Sequence, residues 1–523
     1  MESPFSLKKQ QINVLCILIF ICCSFTAAAQ NTSALAGNFP VRGFHIDLRI
    51  QVMKIPALKE LALKLSKAGI NTLIMEYEAT FPFEKHPLIA NRYAYTKAEI
   101  KDFVAYCNKL GVDVIPLQQS FGHLEYVLRN NRYKALREDQ KDFSQVCPAK
   151  EALNVALFTD LYTELVAVHT SKYIHIGGDE THLLGHDPLC EKLVKEHGVS
   201  DLYGKHIRLM CDIVIKLGKI PVLWADIALK YPDATKFLPK EAILVDWNYG
   251  WGMDKFGDHN KLMKSGFQIW GATALRSSPD NYNFTTWQKH FDNISDFIPA
   301  ARKLNYQGMI MTSWSTSGVY APVYESVSDL VDLYPVRRVY PFTGFNMLLA
   351  AFVAGLETND ALKVDAFIVK YATDTYGFRQ SQALEFWKAL KTGPYEVGAG
   401  VVKGPVSLEQ LLDSTVLAAK VLDGLTPLKN KDEFEQYRLM TDTRVGYLSF
   451  QLIEKEVNSP SFSTAGIPLI LKKLQAIMEK TKQLNKKYIL LNEKSFYPSE
   501  LAEDNKLRTT KVQLLYDRLA KTR

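Results

Sequence analysis

The sequence is poor in several things that would place a protein at once. It holds no block of basic residues suited to nucleic acid, and its formal charge of +7 is thinly spread over 523 residues. Cysteine is scarce: there are seven, and Cys16, Cys22 and Cys23 fall close to the N-terminus. Cys107, Cys147, Cys190 and Cys211 are too widely spaced for a metal pattern, so buried free thiols are expected and a pairing cannot be deduced. No Gly-rich phosphate turn follows the first strand-like run, HIDLRIQ, which argues against a doubly wound dinucleotide fold. Internal repeats and low-complexity linkers are also missing. The one long apolar run, INVLCILIFICCSF, spans about 15 residues, short of the roughly 20 that cross a bilayer. Lys8 and Lys9 precede it and TAAAQ follows, so residues 1–29 read as a cleavable signal peptide ending before Gln30. Export is therefore expected, to a periplasmic, extracellular or lumenal space, with no stable membrane span after cleavage. Asn31, Asn283 and Asn293 lie in N-x-S/T sequons, which matter only in a host that glycosylates.

What is present is regular. Eight short apolar runs occur at 42–48, 71–77, 112–118, 172–178, 219–225, 242–247, 267–272 and 308–314. They are rich in Ile, Val and Leu, as strands buried on both faces should be. Amphipathic stretches such as ALKELALKLSKAG and KAEIKDFVAYCNKLG separate them and stop at glycine, and the order helix, Gly, strand recurs at Gly69, Gly111, Gly218 and Gly266. Eight strand–helix units predict a (β/α)8 TIM barrel over 41–340. From 345 to 523 long helical patterns take over, predicting an all-helical C-terminal region beside the barrel.

In such a barrel the active site lies at the C-terminal ends of the strands. Those ends carry Asp47 and Arg49, Glu76 and Glu78, His123 and Glu125, Asp179 and Glu180, Trp224 and Asp226, Asp246, Trp247 and Tyr249, Trp270, and Trp314. Carboxylates beside indoles suit a sugar: hydroxyls need fixed acceptors, and the apolar face of a pyranose packs on an aromatic ring. An ordinary glycosidase uses two carboxylates that flank the scissile bond. Asp179 and Glu180 are sequence neighbours, able to converge only at a turn that Gly177 and Gly178 permit, and then from one side of the substrate. That spacing fits another division of labour. Glu180 protonates the leaving oxygen, while Asp179 holds a part of the substrate that itself attacks, such as the carbonyl of a 2-acetamido group.

HIGGDE at 175–180 resembles the Asp–Glu motif of glycoside hydrolase family 20, the β-N-acetylhexosaminidases. The stretches FHIDLR, IMEYEATFPFE, PLQQSFGHLEYVLR, VLWADI, DWNY and TSW are similar, in the same order, to its hexosaminidase D-like branch, over about residues 41–320. The resemblance implies an exo-acting, retaining, substrate-assisted hydrolase for terminal GlcNAc or GalNAc, working through an oxazolinium intermediate without metal or cofactor. It implies that Asp179 orients the acetamido group and that Glu180 is general acid, then base, with a pKa raised by its site. Trp224, Trp247 and Trp314 would wall the sugar pocket, and Tyr249, or else Tyr282, would donate to the acetamido oxygen. Asp47, Arg49, Glu78, His123 and Asp226 complete the expected substrate-binding set. Two positions differ from the common pattern: Asp47-Leu48-Arg49 is a residue shorter than Asp-x-x-Arg, and Trp314 is followed by Ser315 rather than Glu. The competing readings are a glycosidase with Glu78 or Asp226 as nucleophile on sugars lacking the acetamido group, and a carbohydrate-binding protein without turnover.

Overall fold

A computed structural model describes residues 39–522, apart from 254, 278–284, 316–319, 324–331, 336–338, 394 and 399. The expected signal peptide and Tyr282 lie outside the described residues. Eight parallel strands close into a barrel: β1 (Val41–Asp47), β2 (Thr72–Glu76), β3 (Asp113–Leu117), β4 (Tyr173–His175), β5 (Ile220–Trp224), β6 (Ile243–Trp247), β7 (Gln268–Arg276) and β8 (Gly308–Ser313). β8 pairs with β1 from Val41 opposite Gly308 to Phe44 opposite Met311. The β1–β2 register sets Asp47 beside Glu76, so both carboxylates reach the same rim.

The strand residues are buried almost without exception, which explains their continuous apolar character. Inside the barrel Ile74, Ile115, Val222, Val245, Ile310 and Trp224 form one cluster. β4 is shorter than its apolar run because Gly177 (φ 67°) and Gly178 (φ 92°) leave the extended conformation two residues after His175. Gly69, Gly111 and Gly218 each end a helix in the left-handed conformation, and the next residue's N–H turns back to the helix: Ile70 to Leu65, Val112 to Cys107, Lys219 to Val214.

Beyond the barrel the described residues are mainly helical, from Asn346–Leu356 through the long helices Lys431–Val457, Ile467–Asn492 and Pro498–Ala520. Their apolar faces continue the barrel's outer core: Tyr437, Tyr488, Phe496 and Leu501 belong to the same buried cluster as Phe44 and Leu65. The last helix and the turn before it also grip the segment after β1, where Gln51 N–H donates to Glu500 Oε2 (3.0 Å) and Lys54 N–H to the Ser495 carbonyl (2.9 Å). Asn293 is buried inside the helix Trp287–Lys303, so its sequon is closed to modification in the folded chain.

Candidate active site

The rim beyond β4 brings the two acids to one histidine. Nε2 of His123, from the loop after β3, lies 3.4 Å from Asp179 Oδ2 and 3.4 Å from Glu180 Oε2. Adjacent residues converge because the backbone leaves the strand. Gly177 and Gly178 turn it, and Glu180 itself is left-handed (φ 47°), as is His123 (φ 54°). Glu78, after β2, is a third left-handed rim residue (φ 46°). Such conformations cost a non-glycine residue free energy and persist only where the surroundings impose them. Close packing imposes them here: a Cβ on Gly177 would collide with the Gln119 side chain, and one on Gly122 would sit 2.7 Å from the Asp179 carbonyl.

The two acids are in different states. Asp179 is buried, and its Oδ1 has no hydrogen-bond donor. Glu180 is partly exposed, at 43 % of its side chain. Its pKa is lowered, chiefly by the hydrogen bond to His123 and then against the cost of burial, while contacts with both acids outweigh burial and push His123 well above the usual histidine value. This corrects the expectation that the site raises Glu180: without substrate, the proton resides on the imidazole that Glu180 shares with Asp179.

Asp226 lies behind this pair. It accepts the Glu180 backbone N–H (3.2 Å) and the Trp247 indole N–H (3.4 Å). Burial, and then the charge of Asp179, raise its pKa to about 8, so it is largely neutral at pH 7.

The aromatic residues take unequal positions. Trp224 is completely buried, 4.4 Å from the His175 ring and 5.7 Å from Trp314, and its indole N–H has no partner. It is therefore barrel filling beneath the site and not an open wall. Trp247 packs against Tyr249 with the rings tilted (5.0 Å, 32°), and the partly exposed Trp314 donates its indole N–H to the Tyr249 hydroxyl (2.9 Å). The same hydroxyl also hydrogen-bonds Thr312, whose own proton goes to the Thr273 carbonyl. Burial raises the Tyr249 pKa, so it remains a phenol.

At β1 the carboxylate is held shut. Asp47 receives the Arg49 backbone N–H (2.8 Å), Arg49 Nε (3.0 Å) and Nη2 (2.8 Å), and the Ser315 N–H (2.9 Å). Burial would raise its pKa, but the Arg49 charge and hydrogen bonds win and hold it at about 2. Arg49 Nε is also 3.8 Å from Glu78 Oε1, and its guanidinium lies 5.4 Å over the Trp314 ring. Ser315, found where a Glu is common, thus serves through its backbone. Glu78 is buried, and burial pushes its pKa well up despite Arg49.

Several rim groups carry no local signal in the sequence. His45 and Glu76 form a buried pair (2.9 Å), Gln119 Nε2 donates to Glu76 (3.1 Å), and the His45 ring lies 4.4 Å from Trp314. Their partners are 31 to 269 positions apart. Glu125, pushed by burial to about 7, joins the same electrostatic group near Arg49 and Glu78. The only signal for these residues was their place at strand ends.

The sequence profile of the glycosyl hydrolase family 20 catalytic domain matches residues 44–318, more than half of the chain. The chain belongs to that family. This family 20 chain is a glycoside hydrolase, and its matched span runs from β1 to just past β8. It is similar to two proteins named hexosaminidase D. The Bos taurus protein is 27% identical over 318 residues, 57% of this chain and 88% of that protein. The Homo sapiens protein is 27% identical over 314 residues, 57% of this chain and 63% of that protein. A crystal structure of β-N-acetylhexosaminidase from Bacteroides fragilis aligns at 16% identity with a TM-score of 0.48, covering 64% of this chain and 70% of that one. Among the described residues, no helix is long and apolar enough to cross a membrane.

Proposed function

We propose that this family 20 hydrolase is an exo-acting, retaining β-N-acetylhexosaminidase that removes terminal GlcNAc or GalNAc by substrate-assisted hydrolysis. One observation carries the reading: Asp179 is buried and its Oδ1 has no donor. A buried acceptor without a partner is costly, and an amide N–H from the substrate would satisfy it. That bond turns the acetamido carbonyl oxygen towards C1 and stabilises the positive charge that spreads over the amide as the oxygen attacks. Tyr249, its oxygen already accepting from Trp314, donates to the carbonyl oxygen in place of Thr312 and fixes its direction.

Glu180 delivers a proton to the departing oxygen, which keeps the bonding electron pair. His123, 3.4 Å away and holding a proton, supplies Glu180 as the leaving group forms. In the second half, Glu180 takes a proton from water, the hydroxide oxygen bonds C1, and the carbonyl oxygen leaves, restoring the acetamido group with the original configuration.

A protein nucleophile fits less well. Glu78 and Asp226 both have raised pKa values, Asp226 about 8, and a neutral carboxyl is a poor nucleophile. The deciding experiment is hydrolysis of chromogenic β-N-acetylglucosaminide, β-N-acetylgalactosaminide, β-glucoside and β-galactoside by the wild type and by Asp179→Asn. Turnover confined to acetamido sugars and lost in the variant supports the reading. Equal turnover of the plain sugars replaces it with a protein nucleophile, and binding without turnover makes the chain a lectin-like protein. Export belongs to the same proposal, and N-terminal sequencing of secreted protein should start at Gln30.

A further inference from the structure

The loops that follow β3 and β4 supply His123 and the acid pair, and away from the site they are sewn together. Glu138 Oε1 accepts the backbone N–H groups of Gly185 (2.8 Å), His186 (2.9 Å) and Asp187 (3.2 Å). Gln145 Oε1 accepts the Leu183 N–H (3.0 Å), and Lys150 Nζ reaches Asp187 Oδ2 (2.8 Å). In the middle of this seam lie Cys147, at the end of the first loop, and Cys190, on the helix Pro188–His197. Both are fully buried, with their sulfurs 2.9 Å apart. They pack with Leu202 in a small apolar cluster separate from the main core.

We propose that Cys147 and Cys190 are a disulfide site, and that the bond locks the histidine-bearing loop to the acid-bearing loop. The sulfurs are under 1 Å from the bonded separation of about 2.05 Å. A carboxylate oxygen of Glu138 lies within 4.8 Å of both, which also makes the trio a possible metal cradle. The sulfur separation favours the bond. A tetrahedral metal with bonds of about 2.3 Å would hold two sulfurs about 3.8 Å apart, wider than the gap here.

The chemistry balances with a disulfide oxidant, such as oxidised glutathione or a protein dithiol oxidase. One thiolate attacks the oxidant's disulfide and expels a thiolate. The second cysteine sulfur then displaces the remaining oxidant thiolate as the Cys147–Cys190 bond forms. The two cysteine protons pass to the two thiolates released. The protein loses two electrons and the oxidant gains them. The bond forms while the loops are still open, because both sulfurs are inaccessible once the seam has closed. It links positions 43 apart, and that segment contains β4, Asp179 and Glu180. It therefore restricts the unfolded chain just where the site must assemble.

The test is to refold the purified wild-type protein in a glutathione redox buffer, alkylate it under denaturing conditions without reduction, digest it and map the peptides. Refolding in a defined buffer is independent of where the chain is exported and of what it hydrolyses. The expected result is one peptide pair joined through Cys147 and Cys190, about 2 Da lighter than the two reduced peptides together. Wild-type Tm should fall when a strong reductant is added, while Cys147→Ala, Cys190→Ala and the double variant show no such response. Alkylation of both cysteines in the non-reduced protein would overturn the proposal. So would linkage to Cys107 or Cys211, or alkylation that requires a chelator and releases one equivalent of zinc.

Discussion

Asp47 and Asp179 are the same residue type, both buried, on the same rim, yet they are treated in opposite ways. Asp47 is saturated by Arg49 and the Ser315 N–H and is ionised down to about pH 2. Asp179 keeps one oxygen without any donor and shares the other with His123. The difference separates a carboxylate that finishes the fold from one that awaits a ligand. A buried charge with a complete set of partners holds loops in place, whereas an incomplete set is a free-energy debt that substrate binding can settle.

The largest effect should come from the group that moves the proton. Glu180→Gln should lower kcat by about 10²–10⁴-fold on a substrate with a poor leaving group, and much less with an activated one. Unchanged turnover of the poor leaving group would remove Glu180 from the acid role. On the closed side, Asp47→Asn should act on stability first. Removing one member of a buried ion pair costs about 3–5 kcal/mol, read as a lower denaturation midpoint, because Arg49 loses the carboxylate that takes its Nε and Nη2 hydrogen bonds. If Asp47→Asn were as stable as wild type, the contrast between the two acids would collapse. Asp179→Asn should do the reverse, keeping the fold while losing about 10²–10³-fold in kcat on acetamido substrates.

Tyr249→Phe should be milder, with a loss of about 3–10-fold from one hydrogen bond, together with a disturbed Trp314. The smallest effect is on the pH dependence of stability. Asp47 is lowered to about 2, so its contribution is present above the unfolded value near 3.9 and is lost as pH falls from there to about 2. Asp226 is raised to about 8, so its contribution is complete below about 3.9 and is lost as pH rises through 8. In denaturant midpoints measured from pH 4 to 9, wild type should therefore lose ground relative to Asp226→Asn as pH rises through 8.

The barrel was legible because a strand buried on both faces must be apolar throughout, and because glycine ends helices in a way that side chains resist. The strand ends could be located for the same reason, and with them Asp179, Glu180, His123 and Asp226. Partnership was not legible. Nothing near Asp47 indicates that Ser315, 268 positions later, will cap it, nor that His45 meets Glu76 beneath Trp314. Trp224 looks like Trp247 in sequence, but Trp224 is fully enclosed against His175 and Trp314, whereas Trp247 packs on Tyr249 and donates to Asp226. The pKa of Glu180 was misread because its direction depends on His123 adopting a left-handed backbone, which only the packed loops enforce.

Those left-handed residues have a bearing on how the molecule can be improved. Glycine would relax the backbone at Glu180, whose side chain is partly exposed, so that position offers a gain in heat resistance, whereas at Glu78 and His123 the lost ion-pair partners outweigh the relaxed backbone. Glu180 is also the group that moves the proton. A screen that rewards durability alone will find it early and return sturdy barrels with no chemistry, so any search for a hardier enzyme has to score turnover in the same round.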